Sequence, residues 1–157
     1  MTRTEYNLTL NYIYDKNHKG APYTLNGVNW FNHGDLCEIA LKACKGYKPT
    51  KDGNGKWNET SDIEETYTSV KSGKATLASD LIGEDMEEML NRYFKEVHST
   101  NWSYVVIIDN EMLIEYNMTT EEFREMLLTW ANINERKVIR FKNTSGKMLK
   151  WLDARAA

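Results

Sequence analysis

Only two cysteines and three histidines occur among the 157 residues, and neither type gathers where a disulfide framework or a zinc centre needs it. Cys37 and Cys44 stand seven residues apart with no CxxC, and His18, His33 and His98 form no HxxxH pair. A Cys/His metal site and a stapled scaffold are therefore set aside. The two thiols are expected to be reduced, on one side of a helix. No stretch approaches the roughly 18 consecutive apolar residues of a membrane span. Residues 1–6 are polar and charged, so the chain is expected in the cytoplasm and not exported. Three catalytic or cofactor signatures are missing as well. There is no GxGxxG and no GxSxG, and Ser72-Gly73-Lys74 lacks the preceding glycine of a phosphate-cradling P-loop.

What is present fits one domain spanning residues 1–157. A chain of this length buries roughly two-thirds of its unfolded surface without a disulfide or a structural metal. The net charge of −3 hides an asymmetry. Residues 136–155 hold Arg136, Lys137, Arg140, Lys142, Lys147, Lys150 and Arg155 against Asp153 alone, a local +6 that leaves −9 for the rest. Such a basic segment on an acidic protein suits contact with nucleic-acid phosphates, although a solvated charged face has the same composition.

Periodicity divides the chain into alternating strands and helices. Residues 4–14 read as a strand or extended arm and residues 20–30 as a loop. Asn32 is placed to cap a helix with Leu36, Ile39, Ala40 and Ala43 on one face and Gly46 at its end. Residues 47–60, with Pro49, Gly53 and Gly55, read as loop. A strand is expected over residues 62–77 with a bend at Gly73, followed by the most amphipathic helix, on Met86, Met89, Leu90, Tyr93, Phe94 and Val97. Residues 103–108 form a continuous apolar run, the pattern of a strand covered on both faces, with residues 112–116 as a hairpin partner. Thr119 and Glu122 make a capping box for a helix facing inward through Phe123, Met126, Leu127 and Trp130. A strand at 137–141 and a short basic helix at 145–154, anchored by Met148, Trp151 and Leu152, complete the chain. The fold class is thus α/β, a mixed central sheet flanked by helices.

The chemistry-bearing constellation lies across the middle. Ser69 and Lys71 fall on one face of their strand while Val70 points to the other. Asp62 lies nine residues before Lys71, and Glu84 thirteen after it at the mouth of the amphipathic helix. Two carboxylates and an ammonium so placed suit a divalent metal ion beside a nucleophilic water, the apparatus of phosphodiester hydrolysis.

Over residues 33–110 this arrangement resembles the restriction-endonuclease-like nucleases with the PD-(D/E)xK motif. Ser69 stands where most members carry an acid. In that respect the chain resembles the branch whose second carboxylate has migrated to the helix beyond the lysine, where Glu84 and Asp85 stand. The resemblance implies a Mg2+- or Mn2+-dependent DNA endonuclease with that fold. Asp62, Glu84 and the Val70 carbonyl would be metal ligands, Lys71 the group that polarises water or stabilises the transition state, and Glu38 a supporting helical acid. Residues 136–150 would contact phosphates, and a homodimer would serve to cut both strands.

The same residues have plainer readings. Glu84 and Asp85 suit a helix N-terminus, Asp62 a turn and Lys71 a solvated strand. Trp57, in a Gly-rich loop before the site, is a candidate for stacking on a base or for loop packing, whereas Trp130 and Trp151 lie on core stripes. A rival function on a similar fold is a non-catalytic protein that binds nucleic acid or inhibits a nucleic-acid enzyme, as a phage or mobile-element accessory; a structural or interaction module is a third class.

Overall fold

The computed structural model describes residues 1–8, 28–47, 61–77, 85–134, 138–142 and 146–156, together with 12–14 and 23–25, with backbone alone for 12–14, 23–25 and 28–31. Strand β1 (Thr2–Asn7) is followed by a small antiparallel meander of β2 (Tyr12–Tyr14), β3 (Tyr23–Leu25) and β4 (Val28–Phe31). The expected continuous extension over 4–14 is therefore two strands, and the expected loop at 20–30 contains two more. Aromatic and β-branched residues around Asn26-Gly27 are the sequence signal for such a hairpin, and Leu25 pairs with Val28 across it.

Helix α1 (His33–Cys44) begins at Asn32, whose side chain accepts the Asp35 N–H at 2.7 Å. It ends before Gly46, whose φ of 80° is left-handed and therefore suited to glycine. The predicted strand at 62–77 is shorter than its composition suggested. A 3₁₀ turn at Glu64–Thr66 and the left-handed Tyr67 (φ 49°) break it at the front, and Gly73 (φ 56°) ends it, leaving β5 (Thr68–Ser72).

Helix α2 (Met86–Glu96) is capped by Asp85, which accepts the Glu88 N–H at 2.8 Å. A long hairpin follows, β6 (Asn101–Ile108) with β7 (Met112–Thr119), turning through Asp109 and Asn110, both at positive φ. Asp109, Asn110 and Glu111 separate the paired Ile108 and Met112, and Asn and Asp tolerate positive φ best among residues with a side chain. Helix α3 (Thr120–Trp130) carries the expected capping box, with Thr119 and Glu122 each accepting the other's N–H. Such a cap is worth about 1 kcal/mol. Short strands β8 (Ala131–Ile133) and β9 (Ile139–Phe141) pair with each other, and α4 (Gly146–Arg155) closes the described chain.

The main sheet runs β1-β7-β6-β5, with β5 parallel to β6 across the α2 crossover and the other pairs antiparallel. It is the mixed sheet flanked by helices that the alternating pattern indicated. On one face Cys37, Ala40 and Leu41 of α1 pack on Val70, Val105 and Leu113. On the other, Met89, Leu90 and Tyr93 of α2, Phe123 and Met126 of α3, and Met148 and Leu152 of α4 cover Trp102, Tyr104, Ile114 and Tyr116. Phe94, Trp102 and Phe123 lock together as stacked and edge-on rings with centroids 5.4 to 6.1 Å apart. Trp130 and Trp151 meet edge-on at 6.3 Å against this core, as their helical positions predicted.

Under α1 the sheet buries an acid, Glu115. Glu115 accepts from the Ser103 hydroxyl at 2.6 Å and pairs with Lys45 at 3.1 Å, while the Tyr6 hydroxyl donates to it at 3.3 Å. Cys37 is buried, Cys44 half-buried, and both are free thiols. Among the described residues no helix is long and apolar enough to cross a membrane.

Candidate active site

The turn ahead of β5 makes the site. Ile63 and Thr68 exchange backbone hydrogen bonds at 2.9 and 3.0 Å, folding the chain back so that Asp62 lies alongside the strand it precedes. Its Oδ2 accepts the Val70 N–H at 2.7 Å and the Ser69 hydroxyl at 3.4 Å. Asp62 thus occupies β5's outer edge, opposite β6. Because the N–H and C=O of one strand residue point to the same side, the Val70 carbonyl opens toward that edge too.

Val70 itself packs under α1, so its neighbours Ser69 and Lys71 turn to the α2 side. There a pocket of about 310 Å³ collects Asp62, Ser69 and Lys71 with Ser61, His98 and Ser99, and Tyr93 and Val97 of α2 form its apolar wall. Ser99 donates to Ser61 at 3.3 Å across one side of it. The pocket is polar on most of its wall, with one ammonium, one carboxylate, one imidazole and three serine hydroxyls. That is a donor-rich setting for an oxyanion such as a phosphate ester.

The structure brings Asp62, Val70, Ser69 and Lys71 together, but not every expected partner. Glu38 lies on α1, across the sheet from Lys71. Glu84, Trp57, Arg136 and Lys137 lie outside the described residues. Asp85, at the other migrated position, caps α2 with its carboxylate.

Arg140 is exposed on β9, and its Nε donates to the Lys74 carbonyl at 3.3 Å. With Leu77 N–H bonded to Ile139 O at 2.9 Å, this ties the basic strand to the chain just past Lys71. Lys142, Lys147 and Lys150 are exposed, the last two opposite the buried Met148 and Leu152 of α4.

His98 was set aside from the sequence because it pairs with no other histidine, and Ser61 and Ser99 were given no role in the site. Topology held the missing signal. A parallel strand-helix-strand unit returns the chain to the end where it began, so the α2 to β6 connection at 97–100 must lie beside the entry to β5.

Among the described residues no group of three His, Cys, Asp or Glu could hold a metal ion. Magnesium, however, keeps several waters and is commonly held by one or two carboxylates completed by substrate phosphate. Asp62 and the Val70 carbonyl are hard oxygen donors on an open sheet edge. They fit a cation recruited together with a phosphate, and do not fit zinc.

A second cavity, about 180 Å³, lies at the other end of β5 and β6 and is lined by His33, Gly73, Tyr104, Leu149 and residues 105–107. Cys37 Sγ is 3.5 Å from His33 Nε2, a spacing that suggests a nucleophile and its base. Burial pushes that thiol up to about 12 and lowers His33. A thiol so disposed stays protonated at neutral pH, so this pair is no activated nucleophile.

Comparison with family models, with curated proteins and with solved structures finds no match to this chain.

Proposed function

We propose that this protein is a metal-dependent nuclease, hydrolysing phosphodiester bonds in DNA on a restriction-endonuclease-like core. The observation that carries this reading is the shared pocket of Asp62 and Lys71, nine residues apart in sequence and joined by the fold-back at Ile63 and Thr68.

Lys71 enters on the face away from Val70, where its ammonium offsets charge on a bound phosphate and on the transition state. The hydroxyls of Ser61, Ser69 and Ser99 are donors for non-bridging oxygens. Val70 N–H holds the Asp62 carboxylate in place. Asp62 and the Val70 carbonyl would hold Mg2+ or Mn2+, with Glu84 as the second carboxylate that the family resemblance implies. A bound cation supplies charge neutralisation and a more acidic water. Exposed Arg140, Lys142, Lys147 and Lys150 would follow the phosphate backbone. Two free thiols suit a reducing cytoplasm. Cutting both strands would call for a homodimer.

A second reading has its own observation. Asp62 already accepts from Val70 and Ser69, and Glu38 is across the sheet, so the same pocket also suits a protein that binds nucleic acid without cutting it. Purified protein incubated with supercoiled plasmid in magnesium, manganese or chelator separates the two. The nuclease reading expects metal-dependent products that disappear in a folded Lys71→Ala variant. Binding without cutting in either metal would leave the non-catalytic reading.

A further inference from the structure

Tyr67 sits where folding alone favours another residue. It is 58% exposed and lies in the left-handed region at φ 49°, a conformation that glycine and asparagine adopt at lower cost. Among the described residues its ring meets no other ring and its hydroxyl has no partner. Its backbone, by contrast, is fixed. Tyr67 N–H donates to Glu64 O at 3.2 Å, and its carbonyl accepts Thr100 N–H at 3.0 Å. Thr100 follows Ser99, and the turn that carries Tyr67 leads back through Ile63 to Asp62 and Ser61, all of the pocket wall. The turn that carries this uncharged aromatic residue is thus fixed to both connections that line the pocket Lys71 enters. Its neighbours Glu64 and Glu65 are exposed acids, the second paired with Lys42 at 3.4 Å, so the turn offers a phosphate no cation and its contribution to a ligand is the ring.

We infer that Tyr67 stacks on a nucleobase next to the phosphate in the Lys71 pocket, and that the substrate is therefore a strand with an unstacked base: single-stranded, gapped or distorted nucleic acid. This rests on the nuclease reading for the phosphate's place and adds the class of substrate. In an intact duplex the base faces are already covered by their neighbours, and a lone ring on a turn has none to meet.

The test uses the full chain, a single-stranded oligonucleotide of roughly ten nucleotides carrying 2-aminopurine, and the matching duplex. Binding is read by fluorescence in chelator, and thermal melting and plasmid cleavage in magnesium and in manganese are measured on the same proteins. Tyr67→Asn should melt higher, because asparagine tolerates the left-handed turn, yet bind the single strand about tenfold or more weakly. Tyr67→Phe should bind like the wild type. Unchanged binding by Tyr67→Asn, equal loss in Tyr67→Phe, or equal wild-type affinity for the duplex would overturn the inference. If the wild type cuts plasmid while Tyr67→Asn binds normally, the stacking inference falls and the nuclease reading stands. Binding that depends on Tyr67, with no cutting in either metal, does the reverse.

Discussion

Asp62 has two duties in this account, and two substitutions pull them apart. Asp62→Ala removes the acceptor of Val70 N–H, a 2.7 Å bond to a buried strand residue. A hydrogen bond to a charged group contributes about 1.5–3 kcal/mol, and the partial exposure of Asp62 discounts this to about 1–2 kcal/mol. For a domain of this size each kcal/mol moves Tm by about 2–4 °C, so the expected fall is about 2–8 °C. Asp62→Asn keeps an oxygen in place for Val70 but loses the charge. It should cost about 1 kcal/mol or less. Urea denaturation and thermal melting measure this half of the prediction, and plasmid cleavage in magnesium measures the other, in which both variants are inactive. Equal stability of the two variants would show that the bond to Val70 does not hold the turn. Full cutting by Asp62→Asn would remove the carboxylate from the site.

Three further outcomes are expected. Lys45→Met should destabilise by about 3–5 kcal/mol, since it leaves Glu115 buried without its cation; adding Glu115→Gln should restore most of the loss, and urea titration of the three variants decides it. Burial raises Cys37 to about 12, and burial together with Glu115 raises Tyr6 to about 12. Both are acids whose protonated form the fold favours, so their contribution is complete below pH 9, the ordinary thiol value, and declines as pH rises toward 12. A pH series of melting temperatures should show this alkaline decline, with Cys37→Ala flattening its earlier part; a curve flat up to pH 12 would contradict the burial. Reversal of Arg140, Lys142, Lys147 and Lys150 to glutamate should lower affinity for DNA and flatten its dependence on salt. An unchanged salt slope would take these residues off the phosphate track.

Helices were readable because their signals are local. Asn32, Asp85 and the Thr119/Glu122 pair each cap within three residues, and the buried faces of α1, α2 and α3 follow from spacing alone. The strands were readable as a class but not in extent. Asp62 suited a turn, but the extent of the 3₁₀ turn was not legible, because it is closed by the Asp62 carboxylate reaching Val70, eight residues on, and by Tyr67 at positive φ, a choice against local preference. The meander at 12–31 was hidden for another reason: its strands are too short to show a period, so residues 20–30 read as a loop. At the site, the Ser69-Val70-Lys71 alternation placed two side chains correctly. His98 and Ser99 depend on which strand pairs with β5, and pairing is not a local property.

That dependence says where the chemistry of this fold is encoded. Packing accounts for Val70, Tyr93 and Val97, which a strand and a helix need on their inner faces whatever the protein does. The polar lining comes instead from Ser69 and Lys71 on the other face of β5 and from two connections, 61–67 entering β5 and 97–100 entering β6, which parallel pairing of β5 with β6 makes neighbours. Thr100 N–H on Tyr67 O and Ser99 on Ser61 then bind one connection to the other. A pocket built this way needs no additional domain, which is how a chain this small can hold an ammonium, a carboxylate, an imidazole and three hydroxyls around one cavity. It also concentrates the cost. The left-handed Tyr67 and the edge carboxylate of Asp62 both lie in the first connection, so changes there should trade stability against binding, while changes to the apolar wall should affect stability first.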